Sequence, residues 1–506
     1  MRKFGYFPDK FHTFSERKRL LAFWQDKKIY TIEGEVFKIE SYENLKEVLY
    51  NKKIELYTED LTFFDFFNEI LEDPKAKIIL SLQKNIVGFS IKIKRYTLYI
   101  GSCRAWNYHS VNFDFLRDLQ KIFDIFQVGV RPAPSSVGTH YWAKFLDVYE
   151  ERALTEKTKN FLKSHDIGAR AEYLAPFFFK EAYEIDLNSA YLNHTRCLPS
   201  GKEIILSTEN NKDSKLIHNN KFSQEAKDMA TFFTCALIYV YDNKNYGIFG
   251  EKDEDGNNNW RQKEGYHVVF GWKEEFETFI KHDIGMIYKT FGYAVGFKNF
   301  SYNSTSYAKN IEKLRLKNIE DDKINKLFKL IEVASIGYHG KSSKELILTK
   351  EKEEDSFIVS FGNGLKHCEK YVKIIEKTDS PYLYHWYSYI IMKTRLQIYE
   401  KMVEEEKNGN YIIGTNFDAI YLKKEPKNII EKLTKEMIKN KNIDIIVDET
   451  LGEFKKQKMT NMIIPFARML ISDQKNSTPG ISEYKKPEYI KKIKDSFDFI
   501  EAIWEK

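Results

Sequence analysis

The sequence predicts a multidomain fold, α/β at its N-terminal end and α+β beyond it, and three stretches carry that expectation. Between residues 28 and 100, β-like runs at 28–32, 35–39, 53–57, 77–82 and 96–100 alternate with helical pieces at 43–50 and 63–71. At 182–202 a short apolar strand ends on Asp186, then turns through Ser189 and Tyr191 into a helix that Pro199-Ser200-Gly201 stops. At 411–422 two apolar runs flank a tight turn, the pattern of a β-hairpin with Asn416 and Asp418 at its tip.

With 506 residues, the chain has room for two or more domains of ~100–200 residues each, and it contains no long low-complexity tract. Lys plus Arg number 80 against 74 acids, so a net charge of +6 is too mild to establish a nucleic-acid partner by itself. Lysines nevertheless gather at 309–317, 423–441, 455–458 and 485–494, mostly in the second half. Four cysteines, Cys103, Cys197, Cys235 and Cys368, stand far apart without a C-x-x-C, which argues against a zinc site or a disulfide framework and fits a reducing cytoplasm. The N-terminus lacks an apolar signal core, and the apolar run at 462–471 is broken by Pro465 and Arg468, so no membrane span is expected. The 38 Phe and 32 Tyr supply large core side chains and rings able to stack on bases.

Along the chain, residues 151–180 read as a connector. Strands at 231–241 and 266–270 surround an Asn/Asp/Gly-rich surface loop at 242–265. From 308 two helices follow, broken at Glu320-Asp321-Asp322. The first carries Lys309, Lys313, Arg315 and Lys317; the second repeats Ile324, Leu327, Phe328 and Ile331 at helical spacing. A charged hairpin-like segment occupies 342–381 and a helix 384–404. Residues 473–506, with Pro479-Gly480 and a lysine-rich run, read as a small terminal domain touching backbone phosphates.

The chemistry lies in these motifs. A carboxylate on a rigid strand end, followed by backbone amides and an aromatic ring, suits holding a divalent cation against a phosphate chain while the ring fixes a sugar. A lysine in mid-helix among other cations, such as Lys329, can meet β and γ phosphates and protonate a leaving pyrophosphate.

Asp-Leu-Asn-Ser-Ala-Tyr at 186–191, with Leu-Pro-Ser-Gly at 198–201, resembles the first palm motif (D-x-x-S-L-Y-P) of family B DNA polymerases, closest to the protein-primed branch of small linear-genome phages. Leu192 stands at the motif's proline. Residues 329–340 align without a gap to K-x-x-x-N-S-x-Y-G-x-x-G, with Val333 at the Asn and Ile336 at the Tyr. Residues 411–422 resemble Y-x-D-T-D-S-I-x-L, with Asn416 for the first Asp and Asp418 for the second. Leu451-Gly-Glu-Phe-Lys455 resembles the L-G-x-W/F-K strand, Arg468-Met-Leu470 stands at the K-x-Y, and Tyr173 falls in a segment similar to Y-x-G-G/A. In the N-terminal part, Asp60 takes the Asn of the second exonuclease motif and Phe64 its Asp. Asp118 keeps the third motif's carboxylate, and Asp114 stands at its tyrosine. Upstream there is no D-x-E in the right place.

The resemblance implies a degenerate exonuclease-like (RNase H-like) domain over 1–150, a connector over 151–180 and a palm with an antiparallel sheet at 181–300 and 342–472. Fingers would occupy 301–341 and a thumb 473–506, with a loop insertion in the first palm segment and a hairpin insertion in the second. It implies that Asp186 and Asp418, with the backbone carbonyl of Leu187, hold two Mg²⁺ or Mn²⁺ ions. Lys329, Arg315 and Lys317 would neutralise the triphosphate, while Tyr191, Ser189, Leu187 and Gly337 line the nucleotide site. Tyr173, Arg468, Lys455 and Asn416 would contact primer and template. The expected activity is addition of dNTPs to a DNA primer-template, or to a protein hydroxyl of a terminal protein, without 3′–5′ proofreading, in the cytoplasm of a bacterial cell. The substitutions at 333, 336 and 416 keep two alternatives open: a silent nucleic-acid-binding scaffold, and a polymerase with relaxed or no template dependence in a phage–host conflict.

Overall fold

The computed structural model describes residues between 20 and 477, exclusive of 147–153, 208–215, 242–246, 253–257, 377–382, 464–469 and shorter runs between them. The chain divides into two compact units. One comprises Met1–Tyr149 and Leu314–Leu383, the other Glu150–Lys313 and Tyr384–Lys506.

The first unit holds a seven-stranded mixed sheet. Its central strand, Ile54–Thr58, runs parallel to Leu20–Gln25 and to Tyr96–Ile100. Antiparallel strands complete both sides, Lys28–Thr31 and Val36–Lys38 on one, Ile86–Ile93 and Ala76–Gln83 on the other. All five residues of the central strand are buried, as befits a strand with parallel neighbours covered on both faces. The same covering explains why Leu20–Gln25 escapes a search for alternation: Leu21, Ala22, Phe23 and Trp24 are consecutive and all buried. Of the helix expected at 63–71, the first residues belong to a 3₁₀ turn at Leu61–Phe66, Glu69 is helical, and 67, 68, 70 and 71 lie outside the described residues. Asp60 accepts hydrogen bonds from the backbone N–H groups of Asp26 (2.6 Å) and Thr62 (2.9 Å), and such side-chain-to-backbone bonding favours a tight turn over a regular helix.

Later in the chain, helix Asp322–His339 is capped by Asp321, whose carboxylate accepts from Ile324 N–H at 3.1 Å. It packs on helix Pro134–Ala143 at Gly138, where a Cβ would lie 2.5 Å from Ser335 Cβ and 2.9 Å from the Ile331 carbonyl. Only a glycine lets the two backbones come this close. A three-stranded antiparallel sheet follows, with Lys366–Glu376 between Lys344–Thr349 and Ser356–Asn363; the charged hairpin read from the sequence is therefore real and gains a third strand.

The second unit is built on an eight-stranded sheet whose middle strand, Phe178–Leu187, lies between Ala419–Leu422 and Phe454–Ile463, antiparallel to both. Alternation along these strands divides the side chains between two faces. Ile185, Ile412, Ile420 and Leu422 pack on Ile398 and Met402 of the helix Tyr384–Lys407. Ala182, Ile413, Ala419, Tyr421, Met459, Met462 and Leu470 form the other core. A further antiparallel sheet, with strands Thr231–Val240, Gly265–Trp272 and Gly285–Phe297, leads into helix Lys273–Lys281. In the same unit Arg170 and Arg395 both lie over the Trp260 ring, at 5.4 and 5.5 Å, and Arg395 is paired with buried Glu275 at 2.5 Å. Among the described residues no helix is long and apolar enough to cross a membrane.

His339 is buried in the first unit, accepts the Leu383 N–H at Nδ1 (3.2 Å) and meets the Trp142 ring edge-on. Burial depresses its pKa to about 3, so the ring is neutral when folded and charges first in the unfolded chain. Stability from this group is complete above the unfolded value and is lost as pH falls below it. Between pH 7 and 5, wild type should lose about 2 kcal/mol more unfolding free energy than His339→Gln, as measured by denaturant titration.

Candidate active site

The site is assembled by strand register. Asp186 is the direct cross-strand neighbour of Ala419 on one side and of Lys455 on the other. The Leu187 N–H donates to the Asp418 carbonyl at 2.8 Å, which draws the hairpin tip alongside Asp186. The turn is tight: Phe417 adopts φ 59°, its N–H donates to the Arg170 carbonyl (2.7 Å), and Asp418 N–H donates to the Asn416 carbonyl (2.8 Å). The backbones of the two residues expected to act together are thereby brought to adjoining strand ends, with 231 residues of chain between them.

Beyond Leu187 the chain bends at Ser189, φ 48°, into the short helix Ala190–His194. Asn188, buried at the bend, holds it. Its N–H donates to the Glu453 carbonyl (3.0 Å), its carbonyl accepts from Gly452 N–H (3.0 Å), and its Nδ2 donates to the Thr450 carbonyl (3.1 Å). Ser189 Oγ donates to Glu312 Oε2 (3.1 Å), and Glu312 is fully buried on helix Thr305–Lys317. The hydroxyl expected to face a nucleotide is thus engaged, and Ser189 has its backbone N–H to offer. Gly452, at φ 84°, completes the frame because a Cβ there would lie 2.3 Å from Asn193 Cγ.

Lys455, expected at DNA, has its ammonium 3.1 Å from Asp186 Oδ2 and 3.1 Å from Asn188 Oδ1. Tyr421, across the sheet from Glu184, is buried. Burial raises its phenol well above the usual range, and the charges of Glu184, Asp186 and Asp418 add to the shift. Asp186 and Asp418 therefore act on one hydroxyl. Tyr191 is also held protonated, by burial first, then by Asp418 and Tyr387.

The donor set fits a divalent cation at Asp186 and Asp418: two hard carboxylate oxygen donors at adjoining strand ends, with the Leu187 carbonyl next along the strand. It fits a single ion better than two. Lys455 offsets half of that charge, Asn416 is uncharged, and among the described residues no group of three or more His, Cys, Asp or Glu side chains gathers as a metal cluster.

Other expected residues fall elsewhere. Lys329, Val333 and Gly337 recur at four-residue spacing on an exposed stripe of helix Asp322–His339, while Ile336 is buried. Arg315 and Lys317 end helix Thr305–Lys317. Tyr173 pairs with Gly414 in the sheet of the second unit. Arg468 lies outside the described residues, as do 478–506 of the expected thumb. In the N-terminal sheet unit, Asp118 accepts the Tyr108 hydroxyl and Asp114 is an exposed partner of Arg117. Asn188, Glu312 and Tyr387 were not identified as site residues from the sequence. Asn188 had a signal, being a carboxamide inside the first motif, whereas Glu312 and Tyr387 sit on helices with no local mark of their role.

The fold was compared with solved structures. Phi29 DNA polymerase in an orthorhombic crystal form aligns with a TM-score of 0.59 and 12% identity over 90% of this chain and 87% of that one. Its complex with primer-template DNA and incoming nucleotide substrates aligns at 0.60 and 11%, over 91% and 90%. The chain has the fold of phi29 DNA polymerase. The likeness to protein-primed family B polymerases read from the motifs is thus borne out at the level of the fold. No protein-family model and no curated protein matches the sequence. In this phi29 polymerase fold the frame around Asp186 depends on Gly452, so Gly452→Ala should cost about 1–3 kcal/mol and lower the melting temperature. Gly337→Ala, where a Cβ meets nothing within 4 Å, should leave it unchanged or raised; differential scanning calorimetry of the two variants checks this.

Proposed function

We propose that the protein is a DNA polymerase that adds deoxynucleotides to a primer end by metal-assisted nucleotidyl transfer. The observation that carries this reading is the convergence of Asp186 and Asp418 at adjoining strand ends in a chain with the phi29 polymerase fold. The bound cation supplies a Lewis acid for the attacking oxygen and the α-phosphate. The chain's own groups do the rest. Tyr191 packs under the sugar and excludes a 2′-hydroxyl, backbone amides beyond Asn188 meet the phosphates, and Lys329, Arg315 and Lys317 are the candidates for triphosphate charge. Tyr173, Asn416 and Arg468 are the candidates for primer and template contacts. A terminal protein's hydroxyl is the proposed alternative to a primer 3′-hydroxyl.

We further propose that proofreading is lost. Asp60 is committed to capping a turn, Asp118 accepts the Tyr108 hydroxyl, and Phe64 occupies a ligand position where no phenylalanine can bind Mg²⁺. A second reading, a scaffold that binds nucleic acid without chemistry, is favoured by one observation: Lys455 is already seated on Asp186.

Primer extension with Mg²⁺ or Mn²⁺, with and without template, separates the two. The polymerase reading expects extension that falls by about a thousandfold or more in Asp186→Ala and in Asp418→Ala. Retention of extension in both variants refutes the site, and tight DNA binding without extension by wild type supports the scaffold.

A further inference from the structure

We propose that Lys455 is a tethered cation that takes the place of the second divalent ion, so that this site works with one. The inference rests on the polymerase reading above and adds a residue to it. Lys455 is not a surface lysine that happens to reach a carboxylate. It is the cross-strand neighbour of Asp186 in the register of Phe454–Ile463 with Phe178–Leu187, so its position is set by the sheet. The Lys455 and Asp186 side chains are both partly buried, 21% and 27% exposed. Its ammonium is shared between Asp186 Oδ2 and Asn188 Oδ1, each at 3.1 Å. Asn188 is fixed in turn by Glu453, Gly452 and Thr450.

The charge arithmetic points the same way. Before a nucleotide is bound, two carboxylates facing two divalent ions leave an excess of positive charge, and Asn416, being neutral, does not relieve it. Glu184 is the cross-strand neighbour of Tyr421 and Glu312 receives the Ser189 hydroxyl, and among the described residues neither joins Asp186 and Asp418 in a cluster. With Lys455 counted as one of the cations, the two carboxylates balance one ammonium and leave one negative charge for a single ion. During transfer the primer oxygen bonds to the α-phosphorus as the bond to the bridging oxygen breaks. The hydroxyl proton goes to solvent and pyrophosphate leaves, and Lys455 takes no part in the proton transfer.

The test uses the full chain and counts bound Mn²⁺ by electron paramagnetic resonance for wild type, Lys455→Met, Lys455→Arg and Asp186→Asn, each checked for folding by its thermal melt. The proposal expects one Mn²⁺ in wild type and in Lys455→Arg, two in Lys455→Met, and none at this site in Asp186→Asn. In primer extension, Lys455→Met should be about tenfold slower at low Mn²⁺ and recover with a second-order dependence on the ion, against first order for wild type. Two ions in wild type, or one in Lys455→Met, overturns the role given to Lys455 and leaves the polymerase reading standing. Binding that is absent from every variant, or unchanged by Asp186→Asn, overturns the metal site itself. The Mn²⁺ count decides the matter even for a chain that extends no primer.

Discussion

One rung of the second unit's sheet sets everything that follows: Ala419, Asp186 and Lys455 lie side by side on three antiparallel strands. A β-strand offers no freedom at such a position, because slipping the register by one residue would send Asp186 to the opposite face and Ile185 into its place. That slip is opposed by the core beneath, where Ile185, Ile420 and Leu422 pack on Ile398 and Met402, and by the core above, where Ala182, Ala419, Tyr421 and Met459 meet. The chemistry of the site is thus fixed by apolar burial on both faces of the sheet.

The energetic tension at this rung is between like and unlike charge. Asp186 and Asp418 both press on the Tyr421 hydroxyl, and an uncompensated pair of carboxylates at a partly buried position is unfavourable. Lys455 relieves part of that cost and Asn416 avoids adding to it. A site with fewer acids and a resident ammonium is more stable without metal than a site with more acids would be, and it has a weaker electrostatic attraction for a second cation.

Much of this was legible in the sequence because its signals are local. The strand leading to Asp186, the turn before Asp418 and the helix bearing Lys329 each announce themselves within a dozen residues, and the mixed pattern of 28–100 foretells the N-terminal sheet. What escaped was non-local. Leu20–Gln25 is buried on both faces and shows no alternation. Asp60 bends 61–66 into a 3₁₀ turn through contacts with Asp26, 34 residues away. The seating of Lys455 on Asp186 joins residues 269 positions apart, and only the register of two paired strands reveals it. A lysine directly after Leu-Gly-x-Phe reads naturally as a DNA contact until its cross-strand neighbour is known.

The central claim is that Asp186 and Asp418 converge on one cation site with Lys455 beside it. Crystals of the protein with a primer-template, an unreactive nucleotide and Mn²⁺, measured at the manganese absorption edge, test it most directly. The account predicts one anomalous peak bridging the Asp186 and Asp418 carboxylates, with the Lys455 ammonium on the far oxygen of Asp186. Two peaks at those carboxylates, or a manganese site that touches neither, would contradict it.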